Sequence, residues 1–595
     1  VDGNDLTVTV EGTVTVGGTN TFDLSDSDTA TVEVPLPDSK PTITGLGDTD
    51  VTVDEANLAN GTNPDEDALT QSGQFTITAS AGVASLTVAG SDFSQSFDID
   101  QLNDASEANP LSVDTSKGTL EITGFTGIDD GIYTVTYSYT LTDVADHPEQ
   151  GRDPLEKEAI EVTATDTAGN TANDAINVTI VDDIPVVEDS TNGVLSTEAG
   201  STLFGDSGLN IGADVDGAQI TDIAVTVDAN GNVIGTYGGE EAALTSNGQK
   251  LSASFDSASA TLTVTNEDNE TVFTISSDID GNYSVEVFQP IDPLARSSFS
   301  EEKLTDGGGI DDDLFVFDNG LEVLFSSNDG SVNWSGSGIG VANNLIGANQ
   351  ALIAEFNQYV TDLDFTMGNQ GSPSWEIYRD GELVGSGSGL SISEAGGFDE
   401  IRFLGSGGGN QYNIKGMTGT YMDESEPFVL PVTYQAEDGD GDLVDGGFDL
   451  TFSPNNVFEG SSDSDVIIGT DDDDILIGGG GDDILTGGAG DDIFRWNAGD
   501  EGTTDAPAND VVTDFGNGDN VLDLKDLLQG ESEENIADYI IAEQDGADTK
   551  LYVNSQGDLN GDTGNANQVI TLKDVQYDEN LVKDMLDSGQ LTIDQ

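Results

Sequence analysis

Residues 460–495 read, in nines, GSSDSDVII, GTDDDDILI, GGGGDDILT and GGAGDDIFR: four copies in one register. The sixth position is always aspartate (Asp465, Asp474, Asp483, Asp492), and the eighth is always a large apolar residue (Ile467, Leu476, Leu485, Phe494). A fixed short period names a whole architecture before any local reading does. Glycines at the head of a copy let the backbone turn at positive φ, where a Cβ is poorly tolerated. Three β-prone residues then make a short strand whose middle side chain points inward. Stacked copies form a parallel roll with strands alternating between two sheets. Copies n and n+2 share an edge, so Asp465 is expected to face Asp483, and Asp474 to face Asp492. Facing carboxylates among backbone carbonyls make a cage of hard oxygens, which suits Ca²⁺.

The pattern resembles the repeats-in-toxin (RTX) nonapeptide GGxGxDxUx, a calcium-binding repeat. The first copy departs from it, with serines at its second, third and fifth positions, as terminal repeats do. The competing reading is an acidic, glycine-rich linker without fixed structure. The in-phase apolar position argues against that.

Outward from the repeats, the 595-residue chain is long enough for about four domains of ~150 residues. It carries 114 acidic and 15 basic residues, a formal net charge of −99. Such a surface repels nucleic acid and anionic membranes, which require Lys and Arg contacts. Acidity of this degree also accompanies disorder, but 35% hydrophobic residues in regular β-prone runs read as folded domains that bind cations. Divalent ions would relieve the self-repulsion. Cysteine is absent, so disulfides and thiolate metal sites are excluded and metal is the expected cross-link. No apolar run has transmembrane length. The start at Val1, in mid-pattern, reads as a fragment of something longer.

In chain order, 1–40 is expected to be a small or partial β domain and linker, ending in the punctuation of Pro35, Pro37 and Pro41. Residues 41–183 read as an Ig-like β-sandwich, with short strands between Gly, Asn and Asp turns. Its strongest strand starts at Ile132, and the domain closes at Asp182-Asp183-Ile184-Pro185. That acidic junction before a proline resembles the Ca²⁺-rigidified joints between extender domains of giant RTX adhesins; it also fits a solvated linker. The next domain repeats the plan, Asp280-Gly-Asn-Tyr283 matching Asp130-Gly-Ile-Tyr133, and then breaks off. It resumes only at Phe428, so 184–293 plus 427–456 form one split domain, and 294–426 sit in an inter-strand loop. Loop tips tolerate such insertions when the ends lie close together.

The insert is patterned as a β-sandwich or jelly roll of its own. Its position resembles that of the ligand-binding domains of giant RTX adhesins. Trp334, Trp375, Tyr378 and Tyr412 are the candidate ligand-contacting residues, aromatics able to stack on a sugar or clasp a peptide side chain. The bland alternative is that they are core. Residues 457–530 comprise the roll and a cap that resembles D-x-I-x-D-F-x-x-G-D-x-x-D-L, with Trp496 expected to close the roll. The tail, 531–595, resembles a type I secretion signal region. Read from its residues alone, it is a short amphipathic helix and a strand.

Catalysis finds little support. His147 is the only histidine, in a loop without HExxH or triad context, which excludes a two-histidine zinc hydrolase. A glycosidase needs only two carboxylates, so a secreted RTX enzyme stays as an alternative, as does a purely structural spacer. Further candidate metal ligands are Asp438, Asp440 and Asp442, alternating with glycine, then Asp182 and Asp183, and finally Asp558, Asn560 and Asp562. The first set resembles the start of an EF-hand loop, but Leu443 stands where that loop has glycine. Asp311–Asp313 read as a charged surface run. The sum is an all-β chain: tandem Ig-like sandwiches, one split by an inserted sandwich, then a parallel β-roll. It resembles the C-terminal portion of a giant RTX surface adhesin of Gram-negative bacteria. The resemblance implies a monomeric protein, secreted to the cell exterior by type I machinery and binding several Ca²⁺ ions. Its expected ligand is a glycan or peptide on another surface, with no catalytic residues and no membrane insertion.

Overall fold

A computed structural model describes residues 40–128, 131–147, 150–152, 156–301, 304, 314–317, 321–328, 332–335, 338–341, 345–368, 373–405, 412–423, 426–532 and 534–594, with four short strands within 1–39. The reading of Asp311–Asp313 and most of the expected N-terminal domain lie outside these residues. The chain is all-β and divides into two units. The first is Val1–Val186 with Ile211–Ala218 and Asp438–Asp442; the second is Val187–Asn210, Gln219–Glu437 and Leu443–Gln595.

The first unit contains a sandwich of two five-stranded sheets. Alternation within Ile132–Leu141 sends Val135, Tyr137, Tyr139 and Leu141 inward, each at most 1% exposed. They meet Leu86, Val88, Ile160, Val162, Ile176 and Val178 from the facing sheet. The strand Val51–Asp54 pairs in parallel with Thr171–Val181 and delivers the chain into a 3₁₀ turn, Glu55–Asn57. Both strands therefore end at the same end of the sandwich, where the acidic residues Glu55, Asp182 and Asp183 follow.

In the second unit, Thr202–Asp206, Asn282–Val287, Thr271–Ser277, Thr261–Thr265 and Ser252–Asp256 make a five-stranded antiparallel sheet. It packs on Phe428–Glu437 and Leu443–Ser453, with Tyr283 stacked on Phe448 at a centroid separation of 3.8 Å. Between Asn282–Val287 and Phe428–Glu437, the chain forms a ten-stranded sheet. The two long strands Ala351–Met367 and Ser391–Leu404 are bulged and bend across both faces of one core, which holds Phe325, Phe356, Phe365, Phe398 and Phe403. One continuous sheet thus encloses this core. Its first and last strands, Arg296–Glu301 and Ile414–Met422, are antiparallel partners, and Asp423 N donates to Ala295 O.

The repeats stack as a parallel roll. Asp465–Ile468 pairs with Ile484–Thr486, and Ile475–Ile477 with Ile493–Arg495. Phe458, Ile467, Leu476, Leu485 and Phe494 are fully buried between the two sheets. Trp496 closes the core, its Nε1 donating to Asp510 Oδ2 at 2.6 Å. The roll is also joined to the split sandwich: Asn192–Ser196 pairs in parallel with both Leu443–Ser453 and Asp465–Ile468, and Val194 belongs to the roll's core. At the other end, Gln568–Leu572 and Leu591–Thr592 extend the two sheets, and Met585 of the helix Leu581–Ser588 enters the same core. The boundary expected at 530/531 therefore crosses a shared core, while Leu559, Ala566 and Val569 form a small cluster of the tail's own. The tail's apolar residues complete the roll.

Candidate metal centres

The first centre is the edge of the roll. Asp465, Asp474, Asp483 and Asp492 are at most 1% exposed. Asp483 Oδ1 accepts from Asp465 N at 2.9 Å, and Asp492 Oδ1 from Asp474 N at 3.1 Å. Asp510 and Asn520 continue the two ladders, accepting from the backbone N–H of Asp483 and Asp492. In the first two copies the second position is Ser461 or Thr470, whose backbone and hydroxyl donate to Asp465 and Asp474. In the last two copies it is glycine, and Asp483 Oδ2 and Asp492 Oδ2 are buried without a partner. Burial, with Asp510 beside it, pushes the Asp483 carboxyl up to about 8; burial pushes Asp492 up to about 6 and raises Asp465 and Asp474 as well.

The surrounding backbone fits a cation. Gly479 (φ +92°) lies against the Ser461 carbonyl and Gly488 (φ +100°) against that of Thr470. A Cβ at either would sit about 2 Å from the oxygen, so only glycine permits the approach. The donors are carboxylate and carbonyl oxygens throughout, and the orphaned oxygens need a positive partner. That is the donor chemistry of Ca²⁺. The pairs Asp465/Asp483 and Asp474/Asp492 would hold it.

The second centre lies wholly in the first unit. Glu55 comes from the 3₁₀ turn, His147 from the loop after Ile132–Leu141, Asp182 from the end of Thr171–Val181 and Asp214 from 211–218. The tight turn 438–442 supplies Asp438, Asp440 and Asp442. Their ligand atoms fall into three linked groups, each within 4.8 Å: Glu55/His147/Asp182, Asp182/Asp214/Asp440 and Asp438/Asp440/Asp442. Asp438 Oδ1 closes its turn by accepting from Gly441 N and Asp442 N, and Asp442 Oδ1 accepts from Gly151 N. One oxygen each of Asp214, Asp438, Asp440 and Asp442, and both of Asp182, are buried without partners. Burial and the neighbouring carboxylates drive Asp214 up to about 8, Asp182 to about 7 and Asp438 to about 7. Burial pulls His147 down, but Glu55 and Asp182 beside it outweigh this and lift it to about 9. Six carboxylates around one imidazole leave an excess of buried negative charge, which is stable when paired with cations.

Several sequence-selected residues stand elsewhere. Asp183 is buried, but its carboxylate is consumed by Thr62 N, Thr62 Oγ1 and Ala213 N. Adjacent residues of an extended chain face opposite ways, so Asp182 turns to the cluster and Asp183 away from it. Asp558, Asn560 and Asp562 are exposed, and Asp562 caps the 3₁₀ turn Thr563–Asn565. Of the aromatics, Tyr412 is fully buried, its hydroxyl donating to Leu404 O, and Trp334 and Trp375 pack against the core. Tyr412 is thus a core residue, while Trp334 and Trp375 are half-buried against that core. Tyr378 is half-buried, donates to Glu376, and carries the Arg402 guanidinium 3.9 Å above its ring. Asp362, Asp364, Ser391, Ser393, Thr418 and Thr420 instead line a groove of about 500 Å³ floored by Phe299.

Glu55, His147 and Asp214 were not among the ligands read from the sequence. Asp214 had a local signal, the Gly-Ala-Asp-Val-Asp-Gly run at 212–217. Glu55 and His147 had none, because they meet only through the fold.

Residues 459–494 match, in four copies, the RTX calcium-binding nonapeptide repeat. No curated protein matches the chain. Among solved structures, the AlgE6R3 subunit of the Azotobacter vinelandii mannuronan C5-epimerase is 21% identical over 23% of this chain and 76% of its own, with a TM-score of 0.15. The SrpA adhesin of Streptococcus sanguinis is 14% identical over 42% of this chain and 98% of its own, at 0.15. A tetra-tandem repeat from the extending region of a large adhesion protein is 13% identical over 70% and 74%, also at 0.15. Superposition this poor carries no functional weight.

Proposed function

We propose that this chain is a secreted, calcium-dependent binding protein of the adhesin kind, without catalytic activity. The supporting observation is the set of buried, unpartnered carboxylate oxygens in register along a calcium-binding repeat. Such a chain stays open where Ca²⁺ is scarce and closes where it is plentiful, which suits export through a type I duct and folding outside the cell. The segment 294–426 is the ligand-presenting domain, inserted in the split sandwich formed by 184–293 and 427–456. Residues 41–183 act as an extender whose cation cluster stiffens the unit, and 531–595 carry the secretion signal. The protein acts as a monomer.

The ligand surface belongs to the hydroxyl- and carboxylate-lined groove around Asp362 and Thr420, where Thr420 Oγ1 already donates to Asp362 Oδ2 at 2.9 Å. Polar groups of this kind match a glycan or a polar peptide. A glycan array and a peptide library probed with the full chain, in Ca²⁺ and in EGTA, test this, with a chain lacking 296–422 as control. Ca²⁺-dependent binding that disappears with the deletion is expected. Binding retained by the deleted chain refutes the assignment, and turnover of an arrayed glycan would instead favour a secreted hydrolase.

A further inference from the structure

The oxygen-only groups around Asp182, Asp214, Asp438, Asp440 and Asp442 suit a hard cation. The end of the cluster formed by Glu55, His147 and Asp182 does not fit that chemistry. Glu55 and Asp182 are 0% exposed and His147 is 4% exposed. Neither imidazole nitrogen makes a hydrogen bond, and neither does Glu55 Oε2 or either oxygen of Asp182. His147 Nε2 and Glu55 Oε2 form an ion pair when the imidazole is protonated, but His147 Nδ1 and both Asp182 oxygens are left with no partner, a costly arrangement unless something sits among them.

The distances identify what that is. His147 Nε2 stands 3.3 Å from Glu55 Oε2, without hydrogen-bond geometry. Two ligands of one tetrahedral ion at ~2.0–2.2 Å lie about 3.4 Å apart. The pair is therefore spaced as ligands to a common ion, and an Asp182 oxygen lies within 4.8 Å of both. The ligand set is one imidazole and two carboxylates. Imidazole binds poorly to Ca²⁺ and Mg²⁺, which take oxygen, and well to borderline first-row divalent ions. Glu55 is also held in place: its other oxygen, Oε1, accepts from Ala145 N, two residues before His147. One hydrogen bond thus ties the 3₁₀ turn to the loop that carries the imidazole, the outer contact that orients a metal ligand.

We propose that Glu55, His147 and Asp182 form a site for a borderline divalent cation of the zinc class, beside the calcium groups and distinct from them. Asp182 belongs to both sets and has two free oxygens, enough to serve an ion on each side. Asp214 and Asp440 line a neighbouring cavity of about 1160 Å³, together with Asp146 and Lys117, which gives ions a path from solvent. The site rests on none of the adhesion reading. It would hold in a spacer or an enzyme equally.

A chain with 114 carboxyl side chains binds zinc weakly at many places, so binding alone decides nothing. The discriminating fact is that His147 is the only histidine among 595 residues. Any imidazole signature reports on this site. The experiment is Zn²⁺ titration of the full chain, saturated with Ca²⁺ and selectively ¹⁵N-labelled at histidine, followed by NMR. The single imidazole is expected to move to a metal-bound position at one equivalent of Zn²⁺. Calorimetry with His147→Gln, still in Ca²⁺, is expected to show the tightest zinc class weakened at least about tenfold, with Ca²⁺ binding unchanged. An imidazole resonance that Zn²⁺ leaves unmoved overturns the proposal. So does a His147→Gln chain that binds zinc like the parent, or a resonance that Ca²⁺ alone moves and Zn²⁺ cannot move further. If the His147→Gln chain fails to fold, the NMR titration of the parent decides.

Discussion

Replacing Asp483 with asparagine should change the stability of the roll in opposite directions with and without Ca²⁺. The side chain keeps its shape, and Oδ1 can still accept from Asp465 N. What it loses is a buried, titratable carboxyl with one oxygen unpartnered. The folded carboxyl titrates at about 8, raised by burial and by Asp510, against about 3.9 for an unfolded aspartate. At pH 7.5 the unfolded chain has released this proton while the folded chain still holds it, so folding must draw the proton back from solution. Each unit between 3.9 and 7.5 costs about 1.4 kcal/mol. The ceiling is then about 5 kcal/mol, and on the order of 3–5 kcal/mol is expected after local relaxation. Asp483→Asn removes that penalty. In EGTA at pH 7.5 the variant roll should therefore unfold at higher urea than the parent. In Ca²⁺ the order should reverse, because a carboxylate ligand is gone; the Ca²⁺ concentration needed to fold the roll should rise by about tenfold or more. Indole fluorescence of Trp496, in a Trp334→Phe, Trp375→Phe background, reads the roll selectively because that ring closes its core. A variant no more stable than the parent in EGTA would show that burying the Asp483 carboxyl carries no such penalty.

Chelation should open the roll alone: in EGTA, hydrogen exchange of 484–486 and 493–495 is expected to become fast while 132–141 stays protected, and equal protection with and without Ca²⁺ would contradict this. Lowering the pH from 8 to 5 in EGTA should stabilise the roll. Asp483 and Asp492 have raised folded values of about 8 and about 6, so the folded state holds more protons than the unfolded one across this window, and stability falls as pH rises; a urea midpoint that rises with pH would refute it. Deleting 296–422 and joining the ends with a short glycine linker should leave the remainder folded, since Ala295 and Asp423 are already hydrogen-bonded neighbours. Loss of the cooperative unfolding transition of that chain would show the insert to be integral.

The roll was legible because its chemistry repeats at a fixed spacing: Asp465, Asp474, Asp483 and Asp492 announce themselves by register alone. The turn Asp438–Asp442 was legible for the same local reason. The cluster it joins was only half legible, since Glu55, His147 and Asp214 come from segments between 32 and 226 residues away from the ligands they meet at Asp182 or Asp440, and nothing in the residues flanking Glu55 and His147 encodes the meeting. Asp183 was chosen with Asp182 on composition, but strand geometry turns neighbours apart. Trp334, Trp375 and Tyr412 were chosen on residue type. In a small β domain such rings pack in or against the core, and the groove at Asp362 is lined mainly by hydroxyls and carboxylates, with Phe299 as its aromatic. The tail's place in the roll was hidden because its strands pair with partners far back in the chain, Gln568–Leu572 with Ala508–Val512 and Leu591–Thr592 with Val521–Asp523.

The short strand Asn192–Ser196 has one further consequence. A repeat stack growing from nothing must first assemble an unsupported rung, which is the slow and error-prone step of any one-dimensional assembly. Here the first rung is supplied from outside the repeats, because Asn192–Ser196 pairs on one side with the sandwich strand Leu443–Ser453 and on the other with Asp465–Ile468. The sandwich thus works as a primer, fixing where the stack starts and in which register. It also covers an edge that would otherwise recruit strands from other molecules. Severing that join, for example with Val194→Pro, should leave the calcium ligands intact and yet slow folding and promote aggregation of the stack.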